Sequence, residues 1–202
     1  MKREEKNQLS RQKILESAVR EFGEHGYGMG SINTICIEGG ISKGALYHHF
    51  KDKDQVYLVC VGECFNALVS YLRRHLEPES EDAKGRLEQY FDARMEFFRE
   101  NPLYQRIFCE VVISPPGHLT DEIRKAKEAF DELNVEILGR FLERELLRPD
   151  VTKEEVIETF GQYQDFVNAG YSAPGMDRET REEHEQRCRR ALDILLYGVI
   201  KR

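Results

Sequence analysis

Residues 31–50 constrain the fold of this chain more than any other segment, because they predict two short helices around a tight glycine turn. Ser31 is placed to cap the first helix. Gly39 and Gly40 are placed to end it, since glycine adopts the left-handed conformation that helix C-termini often use. Ser42 is placed to cap the second helix. A helix, a short turn and a second helix is the layout that puts a recognition helix into the major groove of DNA.

The second of these helices is predicted to have one apolar and one polar face. Leu46 and Phe50 are four residues apart, so they share the face expected to turn inward. Lys43, Tyr47 and His48 then point outward. The order of these outward groups favours DNA binding over the alternative, in which Tyr47 and His48 only cover the surface of a small helical bundle.

The segment from about residue 14 to residue 58 resembles the DNA-binding domain of TetR-family transcriptional regulators. The family's first helix ends in Phe-x-x-x-Gly-Tyr, a pattern matched here by Phe22, Gly26 and Tyr27. Its run Gly-Val-Ser-Lys-Gly-x-Leu-Tyr-x-His-Phe-x-x-Lys is matched by residues 40–53, with isoleucine in the place of valine. Beyond about residue 76 the family shares no sequence pattern, so there the resemblance implies only the architecture.

The resemblance implies a DNA-contacting role for one set of residues. In the family, the start of the second helix meets base edges, while flanking polar groups hold phosphates. Ser31 and Lys53 also begin helices, where free amides favour phosphate, and Gly44 would let the helix approach DNA closely. The DNA-binding residues are predicted to be Ser31, Ser42, Lys43, Gly44, Ala45, Tyr47, His48 and Lys53.

The remainder of the chain also has apolar residues at helical spacing, so the predicted fold is all-α. An N-terminal three-helix helix-turn-helix DNA-binding domain is expected over residues 1–52. A C-terminal helical bundle for ligand binding and dimerisation is expected over residues 53–202. About nine helices are predicted: 10–25, two within 31–50, 52–76, 81–100, 103–112, 120–147, 152–169 and 178–200.

Charge and composition narrow the class of protein. The net charge is −7 and the isoelectric point is about 5.5, which disfavours indiscriminate coating of nucleic acid. The acidity is uneven, because residues 1–52 carry a net charge of +1 and the rest carry −8. Five irregularly spaced cysteines predict reduced thiols in the cytoplasm. The N-terminus Met-Lys-Arg-Glu-Glu-Lys is charged and lacks an apolar core, so a signal peptide is not expected. A run of about 18 apolar residues is not found, so no membrane span is expected.

Aromatic residues of the predicted bundle are expected mainly in its core, with a few lining a ligand cavity. Arg94 lies on an apolar stripe, where an unpaired guanidinium is costly. It therefore either binds an anionic effector or pairs with Glu110 or another carboxylate. The ligand pocket is predicted to include Cys64, Phe65, Leu68, Phe91, Arg94, Met95, Phe98, Phe108, Phe130 and Tyr163.

A homodimer is predicted, because a palindromic double-stranded DNA operator needs two copies of the recognition helix. The last two helices are expected to form the interface. The predicted interface residues are Phe160, Tyr163, Val167, Cys188, Leu192, Leu195, Leu196 and Val199. The expected partners are operator DNA and a small-molecule effector, with no cofactor and no metal. A repressor released by its effector is the predicted function.

The sequence supports two other functions less well. Cys60 and Cys64, four residues apart, would suit a thiol- or metal-responsive regulator, but neither has a cysteine or histidine at zinc-like spacing. An enzyme is not predicted, because the sequence lacks a Gly-x-Ser-x-Gly, phosphate-loop or His-Glu-x-x-His motif. His118 and His184 are expected to be solvated surface residues.

Overall fold

The computed structural model describes residues 3–76, 83–143 and 147–170, and positions 183, 186, 187, 189–191, 193 and 194. Its regular structure is helical throughout these residues, which confirms the all-α fold class. The elements are α1 (Arg3–Met29), α2 (Ile32–Glu38), α3 (Lys43–His49), α4 (Lys53–His75), α5 (Ala83–Glu100), α6 (Pro102–Ile113), a 3₁₀ turn (Gly117–Leu119), α7 (Thr120–Ala126), α8 (Glu128–Glu143) and α9 (Lys153–Gly170).

The helix bounds differ from the predicted ones in two places. α1 begins at Arg3 rather than at about residue 10. The single helix predicted for residues 120–147 is two helices, because the backbone at Lys127 leaves helical geometry, with φ −101° and ψ 2°. Neither glycine nor proline marks this interruption, so hydrophobic spacing alone did not find it. Most of the helix predicted for residues 178–200 lies outside the described residues.

The chain divides into two compact units. Unit 1 consists of Met1–Ala67, Phe98–Val111 and Pro115–Glu128. Unit 2 consists of Leu68–Phe97, Val112–Ser114 and Ala129–Arg202. The predicted boundary between residues 52 and 53 separates the expected DNA-binding and ligand-binding functions rather than two packed units, and it stays a prediction.

Aromatic packing between α1 and α4 organises the core of unit 1. Phe22 and Tyr57 are buried, and their ring centroids lie 5.1 Å apart in an edge-to-face arrangement. The ring of Tyr27 meets Tyr57 at 5.0 Å. Fully burying one such side chain contributes about 1.5–3 kcal/mol, so these contacts fix α1 against the start of α4. Leu46 and Phe50 are also buried, which confirms the predicted inward face of α3.

α4 carries a fully buried apolar stripe. Its positions Val56, Cys60, Cys64, Leu68 and Leu72 have no exposed surface, as their spacing predicted. Within the described ranges, α4 is the one helix long and apolar enough to cross a membrane, with a mean hydropathy of 1.3. Glu63 and Asn66 interrupt its apolar residues, so α4 is not the uninterrupted apolar run whose absence is expected from the sequence. The buried stripe accounts for its apolar character, because a core helix has the same composition.

Candidate nucleic-acid interface

Two serine caps set the start of α2 and of α3. The Ser31 hydroxyl accepts a hydrogen bond from the Thr34 amide at 3.4 Å, and the Ser42 hydroxyl accepts one from the Ala45 amide at 3.1 Å. The Ser31 amide in turn donates to Oε1 of the buried Glu21 at 2.8 Å. Both predicted caps are confirmed, and each satisfies an amide that the first helical turn leaves free.

Gly39 and Gly40 end α2 for different physical reasons. Gly40 has a φ of +61°, the left-handed conformation that glycine adopts readily. Gly39 has a φ of −73° and is instead required for space. A Cβ atom there would lie 2.7 Å from Cδ1 of Ile41 and 2.9 Å from Oγ of Ser17. At Gly39 the chain therefore lies so close to Ser17 of α1 and to Ile41 that a residue with a side chain would force these groups to shift.

The predicted DNA-contacting residues lie on the surface of unit 1. Tyr47 is 52% exposed, although it follows the fully buried Leu46. The exposed group consists of Ser42, Lys43, Gly44, Tyr47 and His48, and the half-buried group consists of Ser31, Ala45 and Lys53. α3 therefore presents a polar and aromatic surface to solvent. The individual roles of these residues at DNA stay predictions.

Reciprocal capping fixes the N-terminus of α4 beside the helix-turn-helix. The Gln55 amide donates to Oδ1 of Asp52 at 2.9 Å, and the Lys51 amide donates to Oε1 of Gln55 at 2.6 Å. Lys53 follows in the first helical turn. Its ammonium nitrogen lies 4.5 Å from the centroid of the Tyr27 ring, a cation–π distance. The last turn of α1 therefore positions the lysine that is predicted to contact phosphate.

A polar cluster extends from this lysine across unit 1. The Tyr27 hydroxyl donates to Oδ1 of Asp54 at 2.5 Å and lies 3.1 Å from Nε2 of His118. The same nitrogen of His118 lies 3.3 Å from Oδ2 of Asp54. Burial is the largest cause that raises the pKa of Tyr27 to about 12, and the contact with Asp54 is the next largest. The hydrogen bond from Tyr27 lowers the pKa of Asp54. His118 is exposed, as expected for a solvated surface residue, and its contacts with Tyr27 and Asp54 were not predicted.

The carboxylate of Glu110 accepts hydrogen bonds at the bend near the end of α1. Gly26 has a φ of +71°, and a Cβ atom there would lie 2.9 Å from Oε1 of Glu110. The Tyr27 amide donates to the two carboxylate oxygens at 2.8 and 3.1 Å, and the Tyr57 hydroxyl donates to Oε2 at 2.9 Å. Burial raises the pKa of Glu110, against the effect of these hydrogen bonds. Glu110 was one of the carboxylates predicted to pair with Arg94, and its hydrogen bonds go instead to Tyr27 and Tyr57.

Unit 2 contains a small cavity that includes part of the predicted ligand pocket. Its volume is about 20 Å³, enough for about one water molecule. Arg94 is only 3% exposed, and its Nη1 donates to the Tyr90 hydroxyl at 3.2 Å. Its guanidinium carbon lies 5.4 Å from the centroid of the Phe91 ring. The lining residues are Tyr90, Phe91, Arg94, Asn134, Ile137, Leu138, Phe141 and Phe160.

The other predicted pocket residues do not line this cavity. In unit 1, the ring of Phe108 lies 5.4 Å from Phe65 and 4.8 Å from Phe98, a packed aromatic cluster. Cys64, Leu68 and Phe130 are buried, Met95 is half-buried and Tyr163 is 40% exposed. Of the predicted set, Phe91 and Arg94 line the described cavity, and the pocket as a whole stays a prediction.

The buried cysteines lack the features of a thiol or metal sensor. Cys60 and Cys64 are fully buried, and burial raises the pKa of both thiols. The reactive and metal-binding form is the thiolate, which a raised pKa disfavours. In the part of the chain that the structure describes, no three cysteine, histidine or acidic side chains are grouped to hold a metal ion. The alternative built on these two residues is therefore not favoured.

Most of the predicted dimer interface lies outside the described residues. Phe160 is 9% exposed and lines the cavity of unit 2, and Tyr163 is partly exposed on α9. The side chain of Val167 is not among those described. Neither are the remaining positions, Cys188, Leu192, Leu195, Leu196 and Val199. The interface accordingly stays a prediction.

The capped α2, the glycine turn and the exposed face of α3 define a helix-turn-helix protein. Residues 14–60 match the sequence profile of a family described as bacterial regulatory proteins, tetR family. The HTH-type transcriptional repressor AcnR of Corynebacterium efficiens is 40% identical over an alignment of 83 residues, and the alignment covers 36% of this chain and 44% of AcnR. Residues 14–60 therefore resemble the DNA-binding segment of the TetR family, and the match to AcnR spans less than half the length of that relative.

Two further comparisons extend beyond the helix-turn-helix. The HTH-type transcriptional repressor Rv1474c of Mycobacterium tuberculosis is 28% identical over 125 residues, covering 59% of this chain and 67% of that protein. The crystal structure of FadR from Bacillus subtilis in complex with stearoyl-CoA has a TM-score of 0.68 to this chain. It covers 94% of this chain and 99% of FadR at 14% identity. At this identity the likeness supports the fold alone.

Proposed function

We propose that this chain is a DNA-binding transcriptional regulator, a repressor that a small-molecule effector releases from its operator. The observation that carries the proposal is the exposed polar face of α3, held out by a capped glycine turn. The match of residues 14–60 to the TetR-family profile and the names of the related repressors support it. The protein would act in the cytoplasm, with no membrane partner. A gel shift with the DNA upstream of its own gene tests the proposal, and a failure to retard that DNA would count against it.

Lys53→Ala is expected to weaken binding to operator and to random DNA alike. A phosphate contact carries no sequence information, so its loss also flattens the log–log salt dependence by about one unit of slope. Lys53→Arg should retain binding, because it keeps both the charge and the contact with Tyr27. Lys125→Ala, which removes an exposed lysine of α7, is the matched control. Unchanged affinity of Lys53→Ala at several salt concentrations would contradict this role.

Light scattering is expected to give a homodimer of about twice the 23.6 kDa chain mass at micromolar concentration. One α3 reads one half-site, so a palindromic operator is matched by a two-fold protein. The predicted interface is formed by the last two helices of residues 53–202. The same region of the chain is proposed to bind the ligand. A mass of one chain at that concentration would contradict the dimer.

A small-molecule effector is expected to stabilise the chain and to change its DNA affinity, because a ligand shifts an equilibrium only if it prefers one conformation. The cavity beside Arg94 is the size of one water molecule, so it has to widen before the effector can bind there. Thermal-shift screening of fatty acids, aromatic acids, acyl-CoA and cationic dyes tests this. Loss of acid binding in Arg94→Leu, but not in the exposed control Arg124→Leu, would identify Arg94 as the anion partner. If no compound stabilises the chain, the effector proposal is contradicted.

A further inference from the structure

Unit 1 contains a groove of about 550 Å³ that belongs neither to the exposed face of α3 nor to the cavity beside Arg94. One side of α1 forms its long wall, where Leu15 and Val19 supply apolar surface. Glu63 from α4 and Tyr104 from α6 line it as well. Its volume falls within the range of about 300–1,000 Å³ that is typical of small-molecule sites.

The carboxylate of Glu63 is a half-buried charged group of this groove that lacks a bonded partner among the described residues. Its side chain is half-buried, and burial raises its pKa, against the influence of Arg11. Among residues of the described ranges, none forms a hydrogen bond or a close ion pair with it. Removing a carboxylate from water without such a partner is unfavourable. A cation entering the groove would supply the missing interaction.

The other charged groups on the rim do not fill this role. The guanidinium carbon of Arg11 lies 5.6 Å from the centroid of the Phe50 ring, a cation–π distance. The Glu16 carboxylate already accepts a hydrogen bond from Nε2 of Gln12 at 2.9 Å. The two carboxylates outnumber the one arginine, so the groove carries a net negative charge.

We propose that this groove binds an organic cation with an apolar body, such as an aryl amidine or a hydrophobic amine. The charged end would pair with Glu63, and the apolar body would lie against Leu15, Val19 and Tyr104. All of these residues belong to unit 1, so the site does not depend on an effector pocket in unit 2. Ligand binding in this groove does not require the chain to bind DNA, so ligand affinity can be measured directly on the free protein.

Calorimetric titration with two probes of nearly equal shape tests the charge requirement. Benzamidine carries an amidinium cation, whereas benzamide is neutral. Benzamidine is expected to bind one site per chain with a millimolar dissociation constant, and benzamide about tenfold or more weakly, the difference typical of a charge-assisted hydrogen bond. Equal affinity of the two probes would overturn the proposal.

Glu63→Gln is expected to reduce benzamidine affinity about tenfold and to leave benzamide binding unchanged, because only the charge is lost. The variant should fold, since it replaces a half-buried charge with a neutral group of the same shape, and a melting curve checks this. Glu132→Gln on the surface of α8 is the matched control and should bind as the wild type does. Wild-type benzamidine affinity in Glu63→Gln would contradict the assignment.

Amide chemical shifts locate the site independently of affinity. Benzamidine should shift the amide resonances of Val19, Glu63 and Tyr104 in the ¹⁵N-labelled protein. Val19→Phe, which fills the groove from its half-exposed wall, should remove these shifts for both probes. Shifts confined to other parts of the chain, or unaltered binding in Val19→Phe, would overturn the proposal.

Discussion

Gly30→Ala is expected to lower the free energy of unfolding by at least about 2 kcal/mol, within the range for forcing an extra methyl group into a packed site. The added Cβ would lie 2.6 and 2.7 Å from two carbon atoms of the Phe22 ring and 2.9 Å from the Gly26 carbonyl oxygen. Phe22 is 1% exposed and packs edge-to-face on Tyr57, so its ring has little room to move. The contact with backbone oxygen cannot be relieved by a change of rotamer.

Gly28→Ala is the matched control for this substitution, two residues earlier in the same chain segment. No described atom lies within 4 Å of a Cβ built at Gly28, so the change in stability should stay within about 1 kcal/mol. Thermal unfolding followed by circular dichroism should show a melting temperature about 4–8 °C lower for Gly30→Ala alone, as expected for a chain of this length. Equal melting temperatures for the two variants would contradict the packing described for Phe22.

Local sequence signals were sufficient for the helix-turn-helix. The caps at Ser31 and Ser42 depend on residues three positions apart, and both formed as predicted. The inward face of α3 follows from the four-residue spacing of Leu46 and Phe50. Such features depend on helix geometry alone, so they can be recognised without knowing which other segments lie nearby.

Contacts between distant segments were not predictable in the same way. Asp54 and His118 meet at the Tyr27 hydroxyl, although no periodic pattern connects these three positions. The resemblance matched Gly26 and Tyr27, but the reason for the glycine, its approach to Glu110, depends on tertiary packing. Five of the eight predicted interface residues also lie wholly outside the described residues, so their spacing alone supports them.

Gly44→Ala is expected to separate DNA binding from folding. Gly44 is exposed in the first turn of α3, and the nearest atom to an added Cβ, Oγ of Ser42, is 3.9 Å away. The fold therefore accommodates alanine, which favours a helix over glycine by up to about 1 kcal/mol. If α3 enters the major groove by this face, the added methyl group instead meets DNA. Excess packing of this kind costs about 1–3 kcal/mol, so operator affinity should fall about tenfold.

Gly62→Ala on α4 is the matched control, since it adds the same methyl group within a helix and no atom of the described chain lies within 4 Å of it. Fluorescence anisotropy with a labelled operator fragment, taken from the DNA upstream of the gene, measures the affinities of wild type and both variants. We predict that both variants melt at or above the wild-type temperature, and that Gly44→Ala alone loses about tenfold in operator affinity. Wild-type affinity in Gly44→Ala would contradict the assignment of α3 as the recognition helix.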